Sequence, residues 1–236
     1  MKDLIILGAG GAGEDIISLV NEINKTGEQW KIKGFLDDNP ALLGKTKMGV
    51  KVLGPIEDCR KYLDAFFVSS IANPEERSIR RFIWEKAKSV EAKFAVLVHP
   101  SVVIYEGVSL GEGCVIQANC VLATRAQLYE DVHMAYGCNV AHETVIKEHV
   151  TLGSGVNLSS GVVINEDCYI GAGVSTAHDI EIEKDILVTV GSAVVTNLKN
   201  SQSQKWYGVP AISENQYIES LLSNKIVKQL RKKIYG

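Results

Sequence analysis

Residues 110–134, LGEGCVIQANCVLATRAQLYEDVHM, carry an aliphatic residue or Met at every sixth position: Leu110, Ile116, Leu122, Leu128 and Met134. The same step runs from Val98 to Val194 without an insertion, and sixteen of its seventeen positions are aliphatic or Met, Thr176 being the exception. Positions four further on are restricted too, and they hold Cys114, Cys120, Cys138 and Cys168 among Val, Ile, Leu, Ala, Ser and Thr. An α-helix repeats its apolar stripe every 3.6 residues, and a hairpin array needs turn signals between longer strands. A period of six fits neither. It is the pattern of a parallel β-helix, in which three hexads close one coil and equivalent residues stack roughly 4.8 Å apart along the axis. Seventeen hexads predict between five and six coils. The four cysteines read as small core residues in a column rather than as ligands or nucleophiles.

The segment before the hexads has a different rhythm. DLIIL is a short apolar strand, GAGGAG follows it, and EDIISLVNEIN places Ile16, Ile17, Leu19, Val20 and Ile23 on one helical face. KIKGFLDD reads as a second strand ending in Asp37 and Asp38, DAFFVSSI and KFAVLV as further strands, and ERSIRRFIWEKAK as a second helix. Alternating strand and helix signals predict a Rossmann-like α/β domain over residues 1–97, ahead of a β-helix over 98–199. Residues 200–236 form a polar crossing and a final helix striped by Ile218, Leu222, Ile226, Leu230 and Ile234.

Gly8, Gly10 and Gly13 give GxGxxG between a strand and a helix, where backbone amides and the helix N-terminus can hold phosphate. Asp37, at the end of the next strand, is placed to accept hydrogen bonds from ribose hydroxyls. Fewer than 100 residues make little more than half of a full dinucleotide fold, so a nucleotide-sugar suits this domain better than NAD.

Composition narrows the function. A net charge of -3 gives no overall pull toward nucleic acid. The opening apolar run is broken by glycines and is too short for a signal peptide core or a membrane span, which predicts a cytoplasmic protein. Five cysteines without CxxC or Cys/His spacing argue against a disulfide framework and a zinc site; no metal is expected.

His142 and Glu143 stand side by side within the hexads, and a β-helix corner is a rigid mount for a proton-carrying pair. His178 lies two coils further along the same column, with Ser160 between, and reads as a solvent-facing turn residue. His133 and His149 read as surface or packing residues.

The order GAGGAG, FLDD, HPSV, AHETVI and YGVPA resembles that of the bacterial NeuD/PglD-type sugar acetyltransferases, over residues 1 to about 211. That resemblance implies a left-handed β-helix, a homotrimer, and acetyl transfer from acetyl-CoA to a nucleotide-linked amino sugar. It also implies His142 as general base, supported by Glu143. Gly8, Gly10, Gly11, Ala12, Gly13, Asp37 and Asp38 would then bind the nucleotide-sugar. Thr151, Ala172, Val190, Gly208, Val209 and Pro210 would bind acetyl-CoA in a groove between subunits. The chain departs from the family pattern at Ala12, where His is usual, and at Ala135 and Thr151, where some members have Asn and a second His. O-acetylation of a free sugar such as sialic acid is the alternative chemistry. A non-catalytic trimeric scaffold or sugar-nucleotide sensor is the alternative of another class.

Overall fold

The structure is a computed structural model that describes the backbone of residues 1–235 and the side chains of residues 1–225. Its first part is one sheet of strands β1 (Lys2–Leu7), β2 (Trp30–Leu36), β3 (Thr46–Lys47), β4 (Val50–Gly54), β5 (Phe66–Ser69) and β6 (Lys93–Phe94). The strand order is β3-β4-β2-β1-β5-β6. All pairs are parallel except the β3–β4 hairpin, which the sequence reading did not include. Helix α1 (Gly11–Lys25) buries Ile16, Ile17, Leu19, Val20 and Ile23 on one side of the sheet, the stripe its sequence predicts. Helix α2 (Ser78–Lys88) buries Ile83, Trp84 and Ala87 on the other side.

From Leu97 onward, two-residue strands recur every six residues and wind into a left-handed parallel β-helix. Its cross-section is a triangle. Face I carries the strands beginning at Leu97, Val115, His133, Thr151, Tyr169 and Leu187, and it is extended by the strand Lys205–Tyr207. Face II carries those beginning at Val103, Val121, Asn139, Asn157, Ser175 and Ala193, and face III those beginning at Ser109, Gln127, Val145, Val163 and Glu181. Partners along each face are 18 residues apart, as in Leu122 against Val140 and Leu152 against Ile170. The first residue of each strand points outward, while the second joins the four-on column in a continuous apolar core. Burying a Leu or Ile there contributes roughly 1.5–3 kcal/mol, which is why the period is so strictly kept.

Fifteen consecutive corner positions, every sixth residue from Gly107 to Gly191, have positive φ. Seven are glycine; the other eight include Arg125, Glu143 and His149, residue types for which this conformation is strained. Each coil offsets the strain with a hydrogen bond from the corner N–H to the coil below, such as Glu143 N to Thr124 O at 3.1 Å and Asp131 N to Glu112 O at 2.8 Å.

All five cysteines are free and buried. Four of them donate from Sγ to a carbonyl 15 residues on, at 3.1 Å in each case, and Thr144 Oγ1 does the same to Ser159 O at 3.0 Å. Burial pushes the thiols of Cys114 and Cys168 up to about 12, so they serve as core atoms.

Helix α3 (Glu214–Tyr235) closes the chain. Ile218 and Leu222 of its expected stripe are exposed; Ile226, Leu230 and Ile234 lie outside the described side chains. Among the described residues no helix is long and apolar enough to cross a membrane.

The two parts are joined by α2, which lies along the corner between faces III and I. The corner positions there are Gly113, Asp131, His149, Asp167 and Asp185. Arg77 pairs with Asp185 at 2.7 Å, Arg81 with Asp167 at 2.7 Å, and Arg80 with Asp131 at 2.8 Å. Trp84 lies so close over Gly113 that a Cβ there would run into the indole.

Candidate active site

His142 and Glu143 occupy the corner between faces II and III, opposite the face that the N-terminal domain covers. Both side chains are more than half exposed, at 58% and 53%. His142 Nδ1 lies 3.4 Å from Glu143 Oε2, which leaves Nε2 free. Arg125, one coil earlier at the same corner, donates to Glu143 Oε1 at 2.6 Å. Its guanidinium, with a smaller effect of His142, holds the Glu143 carboxyl below its ordinary value. The arrangement is a rigid Arg–carboxylate–imidazole series ending in an open ring nitrogen. Sequence reading named the last two members and missed Arg125, whose only signal is its offset of 18 residues from Glu143. His178 and Asp179 repeat the pairing two coils on at 2.9 Å, and both are about three-quarters exposed, at 74% and 76%.

The residues expected at acetyl-CoA divide between two faces. Ala172 and the exposed Val190 lie in one column at the corner between faces I and II. Gly208, Val209 and Pro210 lie at the top of the same edge, where Ala193 N donates to Gly208 O at 3.0 Å and Ala211 N to Ala193 O at 2.7 Å. This edge and the His142 corner flank face II. Thr151 is elsewhere: it points outward from face I beneath α2 and accepts a hydrogen bond from Arg80 at 2.6 Å, because an outward strand residue of face I meets the N-terminal domain.

In the glycine loop, Gly8 and Gly13 are required by space. A Cβ on Gly8 (φ +98) would stand 2.9 Å from Ser70 Oγ, and one on Gly13 2.8 Å from Gly8 O. Gly10 and Gly11 have nothing within 4 Å and, with Ala12, present the exposed N-terminus of α1, a position suited to an anion. Asp37 is engaged by the loop itself, since its carboxylate accepts from Ala9 N at 2.7 Å and Asn39 N at 2.8 Å. Asp38 accepts from Ile56 N at 2.8 Å. Asp37 therefore braces the glycine loop and Asp38 the turn that begins at Ile56, uses that the sequence reading did not foresee.

Of the two readings expected for His133 and His149, surface or packing, the structure shows packing: both are buried. Asp131, fully buried, lies 3.3 Å from His133 Nε2 and 2.9 Å from His149 Nδ1, with Arg80 beside it. Burial alone would raise the Asp131 carboxyl, but Arg80 and the two imidazoles more than offset it and hold it far below the usual range. Burial and Arg80 hold His133 below its ordinary value.

The fold and this geometry define a Rossmann-like domain set on a hexapeptide β-helix with a histidine–carboxylate corner. Family comparison agrees: residues 3–80 match the PglD N-terminal domain, and residues 94–124 match the bacterial transferase hexapeptide (six repeats). The two matches fall, in order, on the two parts that the resemblance implied. It is 31% identical over 124 residues to UDP-N-acetylbacillosamine N-acetyltransferase of Bacillus subtilis (strain 168), and that match spans 50% of this chain and 52% of the relative. The acetyltransferase domain of PglB from Neisseria gonorrhoeae FA1090 superposes with a TM-score of 0.79 at 24% identity, over 90% of this chain and 100% of that one. PerB from Caulobacter crescentus, solved with CoA and GDP-perosamine, superposes with a TM-score of 0.78 at 23% identity, over 90% of this chain and 97% of that one.

Proposed function

We propose that this chain is an acetyl-CoA-dependent N-acetyltransferase of a nucleotide-linked amino sugar, acting as a homotrimer. The observation that carries the reading is His142 at an exposed, rigid corner, oriented by a carboxylate that Arg125 holds in turn. The acceptor amine attacks the thioester carbonyl of acetyl-CoA and His142 Nε2 takes the proton released from nitrogen. The tetrahedral intermediate then collapses, and CoA leaves as the thiol with that proton. No acyl-enzyme is required. Face II, between the His142 edge and the Ala172–Val190 edge, offers an extended run for a pantetheine arm.

What supports an assembly of several protomers is a separation. The glycine loop covers face I, whereas His142 stands at the opposite corner, so one chain does not bring the two together. A neighbouring protomer supplies the missing half. PerB was solved with CoA and a GDP-linked sugar, and the Bacillus subtilis relative is named for a UDP-linked one. These make UDP- and GDP-linked amino sugars the first acceptors to assay.

Thiol release from acetyl-CoA tests the reading with UDP-, GDP-, CDP- and dTDP-linked amino sugars and with free sialic acid. Release with a nucleotide-linked amino sugar is expected; release with the free sugar alone would overturn the acceptor, and none at all would favour the scaffold. Mixed trimers test assembly. His142→Ala and Gly11→Glu chains, each inactive alone, should regain about a quarter of full activity when randomly co-assembled, since a site needs one good loop and one good base from different subunits. A mixture that stays inactive would place both halves in one chain.

A further inference from the structure

Outward residues of face I change character along the axis. Leu97 and Val115 are apolar and packed into the α1 core, whereas His133 and Thr151, one and two coils on, are polar. Over them, beneath the start of α1, lies a cavity of about 150 Å³ that Ala12, Asp15, Ser70 and Tyr136 also line. It opens beside the loop read above as the phosphate cradle, and its polar floor is held from behind by the buried Arg80–Asp131 pair.

That pair decides which way each floor residue bonds. Arg80 is only a donor, and its Nη1 reaches Thr151 Oγ1 at 2.6 Å. The Thr151 oxygen is therefore accepting on the Arg80 side, and its hydroxyl hydrogen is left to point elsewhere, into the cavity. Asp131 is only an acceptor, and its Oδ1 faces His133 Nε2 at 3.3 Å. Neither ring nitrogen makes a hydrogen bond among the described residues, but Nε2 is the one beside the carboxylate, whose charge favours the proton there, and Nδ1 is then left as a bare acceptor. Burial and Arg80, which lower the imidazole's affinity for a second proton, keep it so near neutral pH.

We propose that His133 and Thr151 are positioning residues for the acceptor sugar ring. His133 Nδ1 accepts from a ring hydroxyl or amine, and Thr151 Oγ1 donates to a ring oxygen. The inference rests on the nucleotide-sugar reading and adds the residues that select the sugar rather than the nucleotide. A sugar with adjacent polar substituents fits this donor–acceptor pair, and one deoxygenated at both positions does not.

Calorimetric titration of the full chain with GDP-perosamine and with a UDP-linked amino sugar, each beside the bare nucleoside diphosphate, tests it. His133→Leu and His133→Asn both remove the contact to Asp131, but only Asn keeps an acceptor near the Nδ1 position. Affinity for the nucleotide-sugar should fall at least tenfold in His133→Leu and recover most of that in His133→Asn. Affinity for the bare nucleotide and the KM for acetyl-CoA should not change. Equal behaviour of the two variants, or a parallel loss for the bare nucleotide, overturns the proposal. Failure of the unsubstituted chain to bind either nucleotide-sugar overturns the functional reading, and this inference with it.

Discussion

Two corners of one β-helix carry a histidine–acid contact over neighbouring coils, with opposite fates. At the corner of faces II and III, His142 and Glu143 are more than half exposed, with Arg125 beside them. At the corner of faces III and I, Asp131, His133 and His149 are buried under α2, and Asp131 meets both imidazoles and Arg80. The coil geometry is the same, so what differs is the cover. The N-terminal domain shields one corner and turns its acid into a structural anchor. The other is left open, where an imidazole can meet a substrate and a second protomer.

The sharpest way to break this contrast is to remove one member at each corner. His142→Ala should lower kcat/KM by roughly 10²–10⁴-fold, the usual range for a general base, while leaving the unfolding midpoint in place. Asp131→Ala should do the reverse. Removing one partner of a buried pair leaves Arg80 uncompensated, at a cost of roughly 3–5 kcal/mol in stability by urea unfolding. If Asp131→Ala were tolerated, α2 would not be clamped by its arginines; if His142→Ala kept full turnover, the open corner would not hold the base.

Glu143 tests whether the open corner trades stability for function. Its φ of 60° suits glycine, the residue at seven of the fifteen corner positions. Glu143→Gly should therefore raise the melting temperature by about 2–4 °C. The same change removes the group that orients His142 and should lower kcat by roughly 10-fold. A variant that melts lower, or one as active as the parent, would deny the trade.

These corners also show how far the sequence could be read. The hexad step fixed the coils because inward residues repeat with one chemistry, and it put His142 at a corner because the register never slips. The α2 clamp was hidden. Arg77, Arg80 and Arg81 look like a solvated helix face, and their partners Asp131, Asp167 and Asp185 look like turn acids, scattered along 55 residues of chain. Only stacking in steps of 18 shows Asp131, His149, Asp167 and Asp185 as one column. Asp37 shows the same limit: a strand-end acid after a glycine loop reads as a ribose ligand, and pattern alone does not show the two backbone N–H groups from which its carboxylate also accepts. Pattern reports where a residue sits, and its partner comes from packing.

The smallest expected effect is a slope. His133 binds its second proton less readily in the folded chain than the ordinary value of about 6.5, because burial and Arg80 oppose the charge. Below that pH the unfolded chain takes up a proton that the folded chain refuses, so stability is fully present above about 6.5 and falls as pH drops. Asp131 acts in the same direction but lower. Its folded value lies below the usual carboxylate range, so its contribution holds above about pH 4 and is lost beneath that. The interval from pH 7.5 to 5.5 therefore isolates the imidazole, and the loss assigned to it is at most about 1.4 kcal/mol. Urea unfolding at the two pH values should show a smaller decline in His133→Leu than in the parent chain. An equal decline in both would mean that the covered corner accepts the proton, and that the contrast between the two corners is one of exposure without a difference in charge.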